Sequence, residues 1–203
     1  MEIPIVATGT ANTASVTAWL ARHDLAARVT ASARDVMDAP SLVLPGVGAF
    51  GAAIAGLHDL GLFEPLRERL AARRPTLCIC LGMQLLFEAS EESPGVAGLG
   101  VARGLVRRLP PSVRVPHMGW NTVNPGASDG RIPAGVAYFA NSFAVTESPD
   151  GWEFAATTHG IRFASAIMSG PVLACQFHPE LSSAYGDAVL RAWRARAREG
   201  VPC

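Results

Sequence analysis

Thr76-Leu77-Cys78-Ile79-Cys80-Leu81-Gly82-Met83-Gln84 is an apolar run that breaks at a cysteine and goes on with helix-forming residues. Thr76 to Ile79 reads as a short buried strand and Leu81 to Glu88 as the helix after it, with Cys80 at the corner. A thiol at a helix N-terminus feels the positive end of the dipole, which favours its thiolate. Gly82 is expected to let the backbone turn tightly and to leave room over the sulfur. Gln84 lies one turn after Cys80 and faces the same side, where its amide would hold a polar substrate.

Working outward, the N-terminal half repeats the alternation of strand and helix. Ile3 to Ala7 reads as a strand, after which Asn12 or Thr13 caps a helix with Val16, Trp19 and Leu20 on one face. Leu42-Val43-Leu44 is another strand, ending at Pro45-Gly46-Val47-Gly48. A helical stretch follows, then Phe63 to Arg73 with Phe63, Leu66 and Leu70 inward and Pro65 in the first turn. Strands separated by helices imply parallel pairing and a sheet covered on both faces, an α/β fold. The glycines of Pro45 to Gly48 free the backbone to present N–H groups outward. Beside the corner at Cys80, and with the N–H of Leu81, that loop is a candidate oxyanion hole.

From about Gly104 the period changes. Leu105-Val106, Val113 to Val115, Val136 to Phe139, Phe143 to Val145 and Phe154 to Ala156 are short strand-like runs between Pro and Gly clusters. They predict an antiparallel extension in the second half. Val172 to Phe177 reads as a last buried strand. Ser183 to Arg198 reads as the last helix, with Tyr185, Ala188, Val189, Ala192 and Trp193 on one stripe and Gly200 as its stop. No internal repeat, low-complexity tract or linker divides the chain. One domain over residues 1–203 is expected, with an ordered core of about 3–198.

Nearly a hundred positions after Cys80 comes His178-Pro179-Glu180. An imidazole and a carboxylate at i and i+2 share one side of an extended segment. A His held by a carboxylate is the usual base for a thiol. Cys80, His178 and Glu180 are therefore nominated for acyl transfer. Cys78 and Cys80 make a poor metal pair, because no second pair with ligand spacing follows, and no metal is expected. Cys175 reads as a core thiol and Cys203 as a thiol of a disordered tail. His23 and His58 read as helix-surface residues, and His159 as a turn residue before Gly160. His117 lies in Pro116-His117-Met118-Gly119-Trp120-Asn121, a cluster too unusual in composition to be a linker.

Of 203 residues, 49% are hydrophobic and 17% charged, with 17 basic and 17 acidic side chains. That balance gives no electrostatic footprint for nucleic acid or an anionic membrane. No apolar run is long enough to span a bilayer, and the first twenty residues lack the basic start of a signal peptide. Four scattered cysteines make no disulfide framework in a chain this long. A cytoplasmic, reducing setting is expected.

Together these motifs resemble the class I glutamine amidotransferases and, within them, the glutaminase subunits of imidazole glycerol phosphate synthase. The resemblance runs from about Ile3 to Leu190. Residues 80–88 and Gln176 to Glu180 carry the wider likeness. Residues 45–51, residues 116–121 and Tyr138-Phe139 carry the narrower one. It implies a flavodoxin-like, mostly parallel sheet flanked by helices. Cys80 would be the nucleophile, His178 the general base and acid, and Glu180 the orienting carboxylate. Val47, Gly48, Leu81 and Gln84 would surround glutamine and its oxyanion. The ammonia released would pass to a (β/α)8-barrel cyclase subunit, met by Asn12, Met118, Trp120 and Tyr138, and no cofactor is implied. The chain departs from the family pattern at Cys78, commonly Gly, at Asn141, commonly His, and at Leu181, commonly Lys. Two alternatives are a glutaminase subunit for another acceptor synthase and a non-catalytic partner-binding paralogue.

Overall fold

Thr76 to Ile79 is buried on both sides, and the rest of the fold is assembled around it. The computed structural model describes residues 2–8, 12–126 and 131–199. In chain order these form β1 (Glu2–Val6), α1 (Thr13–Ala21), β2 (Ala26–Thr30), α2 (Ala33–Asp38), β3 (Leu42–Leu44), α3 (Phe50–Asp59), α4 (Phe63–Ala71), β4 (Thr76–Ile79) and α5 (Leu81–Gln84). The second half adds β5 (Ala89–Ser90), β6 (Leu105–Arg108), β7 (His117–Pro125), β8 (Gly135–Asn141), β9 (Phe143–Ala144), β10 (Glu153–His159) and β11 (Ile161–Ser169). It closes with β12 (Val172–Cys175), a 3-10 turn (Pro179–Leu181) and α6 (Ser183–Glu199).

Nine strands form one sheet in the order β2-β1-β3-β4-β12-β11-β10-β7-β8, and β5, β6 and β9 form a small second sheet. The pairs from β2 to β12 are parallel, and those from β12 to β8 antiparallel. The mostly parallel α/β core with an antiparallel extension is thus present as read from the sequence. Successive residues of β4 point to opposite faces. Leu77 and Ile79 join a core cluster with Ile5, Trp19, Phe177 and Trp193, while Cys78 joins another with Leu44, Phe50, Leu66 and Phe87. Among the described residues no helix is long and apolar enough to cross a membrane.

The pairing of β12 with β4 places the site. Cys175 stands opposite Ile79, so the chain leaves both strands at the same end, with Cys80 on one side and Gln176 to Glu180 on the other. Parallel sheets present their ligand sites at this carboxyl end.

Several local readings need correction. The expected helix from Leu81 to Glu88 is one turn long. Leu85, Leu86 and Phe87 are all completely buried, which a one-sided helix cannot arrange, and loop amides of Leu99, Val101 and Ala102 take the carbonyls of Leu85 and Leu86. Val113 to Val115 is not a strand; Pro110, Pro111 and Pro116 around it remove ladder N–H groups. The strand expected to run to Phe177 ends at Cys175, and on α6 Ala188 and Ala192 are only half-buried. Two elements escaped notice in the first half, the edge strand β2, exposed at most positions, and the six-residue α2 capped by Ser32. β7 and β11 escaped too, the first exposed in alternation, the second carrying Ala164-Ser165-Ala166 at its centre. Gly200 and Cys203 lie outside the described residues.

Candidate active site

Cys80 sits in the left-handed region, φ 53° and ψ −110°, between β4 and α5. A non-glycine residue held there is strained, and the surrounding structure has to over-determine it. Its amide donates to the Cys175 carbonyl at 2.7 Å, which locks the corner to the neighbouring strand. The turn is therefore made by Cys80 and not by Gly82. A Cβ on Gly82 would lie 2.1 Å from the Leu44 carbonyl oxygen, so its lack of a side chain lets α5 press against β3. With α5 a single turn, little helix dipole bears on the sulfur.

The larger positive neighbour is His178. Its Nδ1 lies 2.8 Å from Glu180 Oε1, and both side chains are buried. Burial by itself pushes the imidazole pKa down, but hydrogen bonds to Cys80 and Glu180, backed by the charges of both, outweigh it and raise the value to about 10. His178 is thus an imidazolium at neutral pH, set between sulfur and carboxylate. The backbone holds it in place. Its N–H donates to the Tyr138 carbonyl at 2.9 Å, and its carbonyl accepts from Ser182 Oγ at 2.6 Å. Ser182 Oγ in turn accepts the Tyr138 N–H at 3.0 Å.

One cleft of about 300 Å³ is lined by Val47, Gly48, Cys80, Leu81, Gln84 and His178, and also by Glu92 and residues 140–143. That volume lies within the ~300–1,000 Å³ common for small-molecule sites. Gln84 Nε2 donates to the Phe143 carbonyl at 3.0 Å and to Gln176 Oε1 at 2.9 Å. Its amide hydrogens are spent on the protein, which leaves its oxygen for a ligand. Gln176 Nε2 approaches Cys80 Sγ at 3.8 Å. The Leu81 N–H, expected as an oxyanion donor, is engaged by the Gly46 carbonyl at 3.3 Å. Gly48, with φ 93°, continues that loop in a conformation that favours glycine.

Glu92 was not anticipated. One of its carboxylate oxygens accepts the Phe50 N–H at 2.7 Å and the residue borders the cleft, where a fixed negative charge suits an ammonium group. It lies in an ordinary polar run, Glu91-Glu92-Ser93, so nothing local marked it.

The four residues expected to meet a partner do not line the cleft. Met118 and Trp120 are 65% and 55% exposed, and Trp120 stands edge-on to Tyr138 with ring centroids 6.0 Å apart. Leu181 and Val136 are also exposed. Asn12 is exposed, caps α1, and borders a small second cavity with Val47, His178 and Glu180. Cys78 and Cys175 are fully buried, and burial pushes both thiols upward in pKa. His23 is more than a helix-surface residue; its Nε2 lies 2.7 Å from Asp187, which also accepts from Trp19. His58 is exposed and stacks on Phe63.

Comparison with known proteins gives the family. A family model described as glutamine amidotransferase class-I matches residues 9–194. The imidazole glycerol phosphate synthase subunit HisH of Moorella thermoacetica is 42% identical over 193 residues, covering 93% of this chain and 92% of the relative. The subunit of the same name from Xylella fastidiosa is 42% identical over 196 residues, covering 94% and 95%. That of Deinococcus radiodurans is 39% identical over 199 residues, covering 95% and 93%. A crystal structure of a glutamine amidotransferase superposes with a TM-score of 0.76 at 17% identity, covering 97% of this chain and 98% of that one. At that identity the match speaks for the fold alone.

Proposed function

The chain belongs to the class I glutamine amidotransferases, and we propose that it hydrolyses glutamine with Cys80, His178 and Glu180 and delivers the ammonia to a synthase partner in histidine biosynthesis. The observation that carries this reading is the strained Cys80 at the mouth of the cleft, beside an imidazole that a buried carboxylate holds at 2.8 Å.

Cys80 Sγ adds to the side-chain amide carbon of glutamine, and the carbonyl oxygen becomes an oxyanion. His178, already an imidazolium, gives its proton to the departing nitrogen, and the C–N bond breaks to leave ammonia and a glutamyl thioester. Neutral His178 then takes a proton from water as it attacks the thioester, which releases glutamate and returns the proton to the Cys80–His178 pair. Glu180 keeps the imidazole oriented and stabilises its charged form. Glu92 and the Gln84 oxygen meet the substrate's ammonium end. For the oxyanion to find the Leu81 N–H, the Gly46–Val47 peptide has to turn its carbonyl away, which brings the Val47 N–H toward the cleft.

The relatives are named as subunits, so this chain acts with another subunit. That partner is the cyclase with a (β/α)8 barrel, docked on the apolar face of Met118, Trp120, Tyr138 and Leu181 with Asn12 at its edge. Met118 and Trp120 lie two apart on β7 and are both exposed, with Trp120 against Tyr138, and exposed apolar side chains grouped this way mark an interaction site. Residues 1–203 act as one glutamine amidotransferase domain, the setting is cytoplasmic, and no cofactor takes part. Release of glutamate from glutamine, followed with and without the cyclase in wild type and Cys80→Ala, tests the reading. A wild-type complex that makes no glutamate would overturn it.

A further inference from the structure

We infer that His117 and Asn141 form a positioning pair for the glutamine cleft, a role that rests on the glutaminase reading above and goes beyond its catalytic residues. His117 stands directly opposite Asn141 across the β7–β8 ladder. Both are buried, and Asn141 borders the cleft while His117 does not. The imidazole is stacked between Phe139 and His159, with ring centroids at 4.8 and 4.1 Å.

The tautomer follows from the neighbours. Asn121 Oδ1 accepts the Thr122 N–H at 2.8 Å, which sets the orientation of that amide. Asn121 Nδ2 then faces both the Thr158 carbonyl, at 3.0 Å, and His117 Nε2, at 3.2 Å. An amide nitrogen only donates, so Nε2 accepts and the ring proton sits on Nδ1. Burial, then the charge of His159, holds the His117 pKa down at about 4, with the interaction from Asn141 opposing them. The ring is neutral at physiological pH and Nδ1 is a donor.

That Nδ1 and the Oδ1 of Asn141 are both buried, and neither makes a hydrogen bond among the described residues. Each is the complement of the other. Asn141 then uses its Nδ2 to donate to the Phe143 carbonyl at 3.0 Å, the same oxygen that Gln84 reaches. The cleft wall at residues 140–143 is therefore pinned from two sides, by Asn141 from the antiparallel extension and by Gln84 from the nucleophile's own turn. Without the His117 N–H, the Asn141 amide is free to turn, the Phe143 carbonyl loses one donor, and Gln84 loses its fixed anchor. Recognition of glutamine should suffer, whereas the Cys80–His178 pair, held by other contacts, should not.

The experiment compares two alkylating probes on the full chain. The glutamine mimic 6-diazo-5-oxo-norleucine has to be recognised by the cleft before Cys80 attacks it; iodoacetamide needs only a reactive thiol. His117→Phe keeps a stacked ring and removes the donor, and Asn141→Leu removes the other partner at similar size. Each should slow labelling by the mimic about tenfold, the worth of roughly one neutral hydrogen bond. Iodoacetamide labelling of Cys80 should stay within about twofold. The double variant should lose no more than either single one, as partners in one network do. His117→Asn, whose amide nitrogen takes the place of Nδ1, should recover part of the loss. Unchanged mimic labelling in both single variants overturns the inference, as does an equal slowing of both probes or full additivity. A wild-type thiol that takes iodoacetamide but not the mimic would instead sink the glutaminase reading, and the pair's role with it.

Discussion

The Gly46 carbonyl oxygen accepts the Leu81 N–H at 3.3 Å, so the donor nearest the nucleophile is occupied before any substrate arrives. An oxyanion forming on the substrate would find a carbonyl where it needs an N–H. Loss of one such donor costs about 10²–10³ in rate. The isolated chain is therefore expected to hydrolyse glutamine at least ~100-fold more slowly than the complex with its cyclase. Glutamate release by each, at saturating glutamine, checks this. Equal rates would show that the Gly46–Val47 peptide turns over unaided.

Cys80→Ala should abolish glutamine hydrolysis while the cyclase partner still works with added ammonium salts, because only the thiolate forms the thioester. Cys78→Ala should retain most of the activity. Its side chain enters the opposite core cluster from Ile79 and Cys80 and reaches no substrate carbonyl. Loss of turnover in Cys78→Ala together with full turnover in Cys80→Ala reverses the assignment.

Glu180→Gln should weaken turnover but leave more residual activity than His178→Ala, since the carboxylate orients an imidazole that itself moves the proton. The pH dependence should change as well. Folding raises His178 from its ordinary value near 6.5 to about 10. The stability contributed by the charged pair is therefore fully present below about pH 6.5 and lost as pH rises through about 10. Turnover needs the imidazolium as an acid, so kcat/KM should fall on the alkaline side near that value. Glu180→Gln removes a group that favours the imidazolium, and its alkaline limb should lie at lower pH. Superimposable pH profiles would give Glu180 another role.

Docking of the cyclase should lean on apolar burial. Met118 and Trp120 are more than half exposed, and Leu181 is 44% exposed. One aliphatic side chain buried at an interface is worth about 1.5–3 kcal/mol at most, an exposed ion pair often less than about 1 kcal/mol. Affinity should change little between low and moderate salt, and Trp120→Ala should weaken binding more than Leu181→Lys. A titration in which salt steeply reduces affinity, or in which Leu181→Lys strongly tightens the complex, argues against this.

Arg69→Met should unfold easily. Arg69 is completely buried on α4, and its guanidinium donates to the carbonyls of Val36, Ala39 and Pro75 and to Thr76 Oγ1. Burial, with the charge of Arg74, lowers its pKa to about 10, so it stays charged at neutral pH and ties the N-terminal end of β4 to α2 and its C-cap Ala39. Leaving three buried acceptors, the carbonyls of Val36 and Pro75 and Thr76 Oγ1, without this donor costs about 1–3 kcal/mol each. A loss of at least ~3 kcal/mol in urea unfolding is expected, and a variant as stable as wild type would mean that water replaces the guanidinium.

By itself the sequence determined those features whose causes are local. Leu42 to Leu44 and Thr76 to Ile79 are strands because short apolar runs bounded by turn formers have to be buried on both faces. Asn12 caps α1 because a short amide side chain reaches the first free N–H groups, here that of Ser15. Cys80 and the pair of His178 and Glu180 stood out because their chemistry is unusual for the ends of buried strands. The edge strand β2, and β11 with its small-residue centre, carry no such signal, since their burial depends on neighbours far away in the chain. Only the tertiary structure decided that β12 lies beside β4 and brings His178 to Cys80. It alone set the Gly46 carbonyl on the Leu81 N–H, turned Glu92 to the cleft and placed His117 opposite Asn141. A hydrogen bond or a charge contact needs the right group at about 3 Å, and across tens of residues that distance is set by strand register and packing, which no local pattern of side chains records.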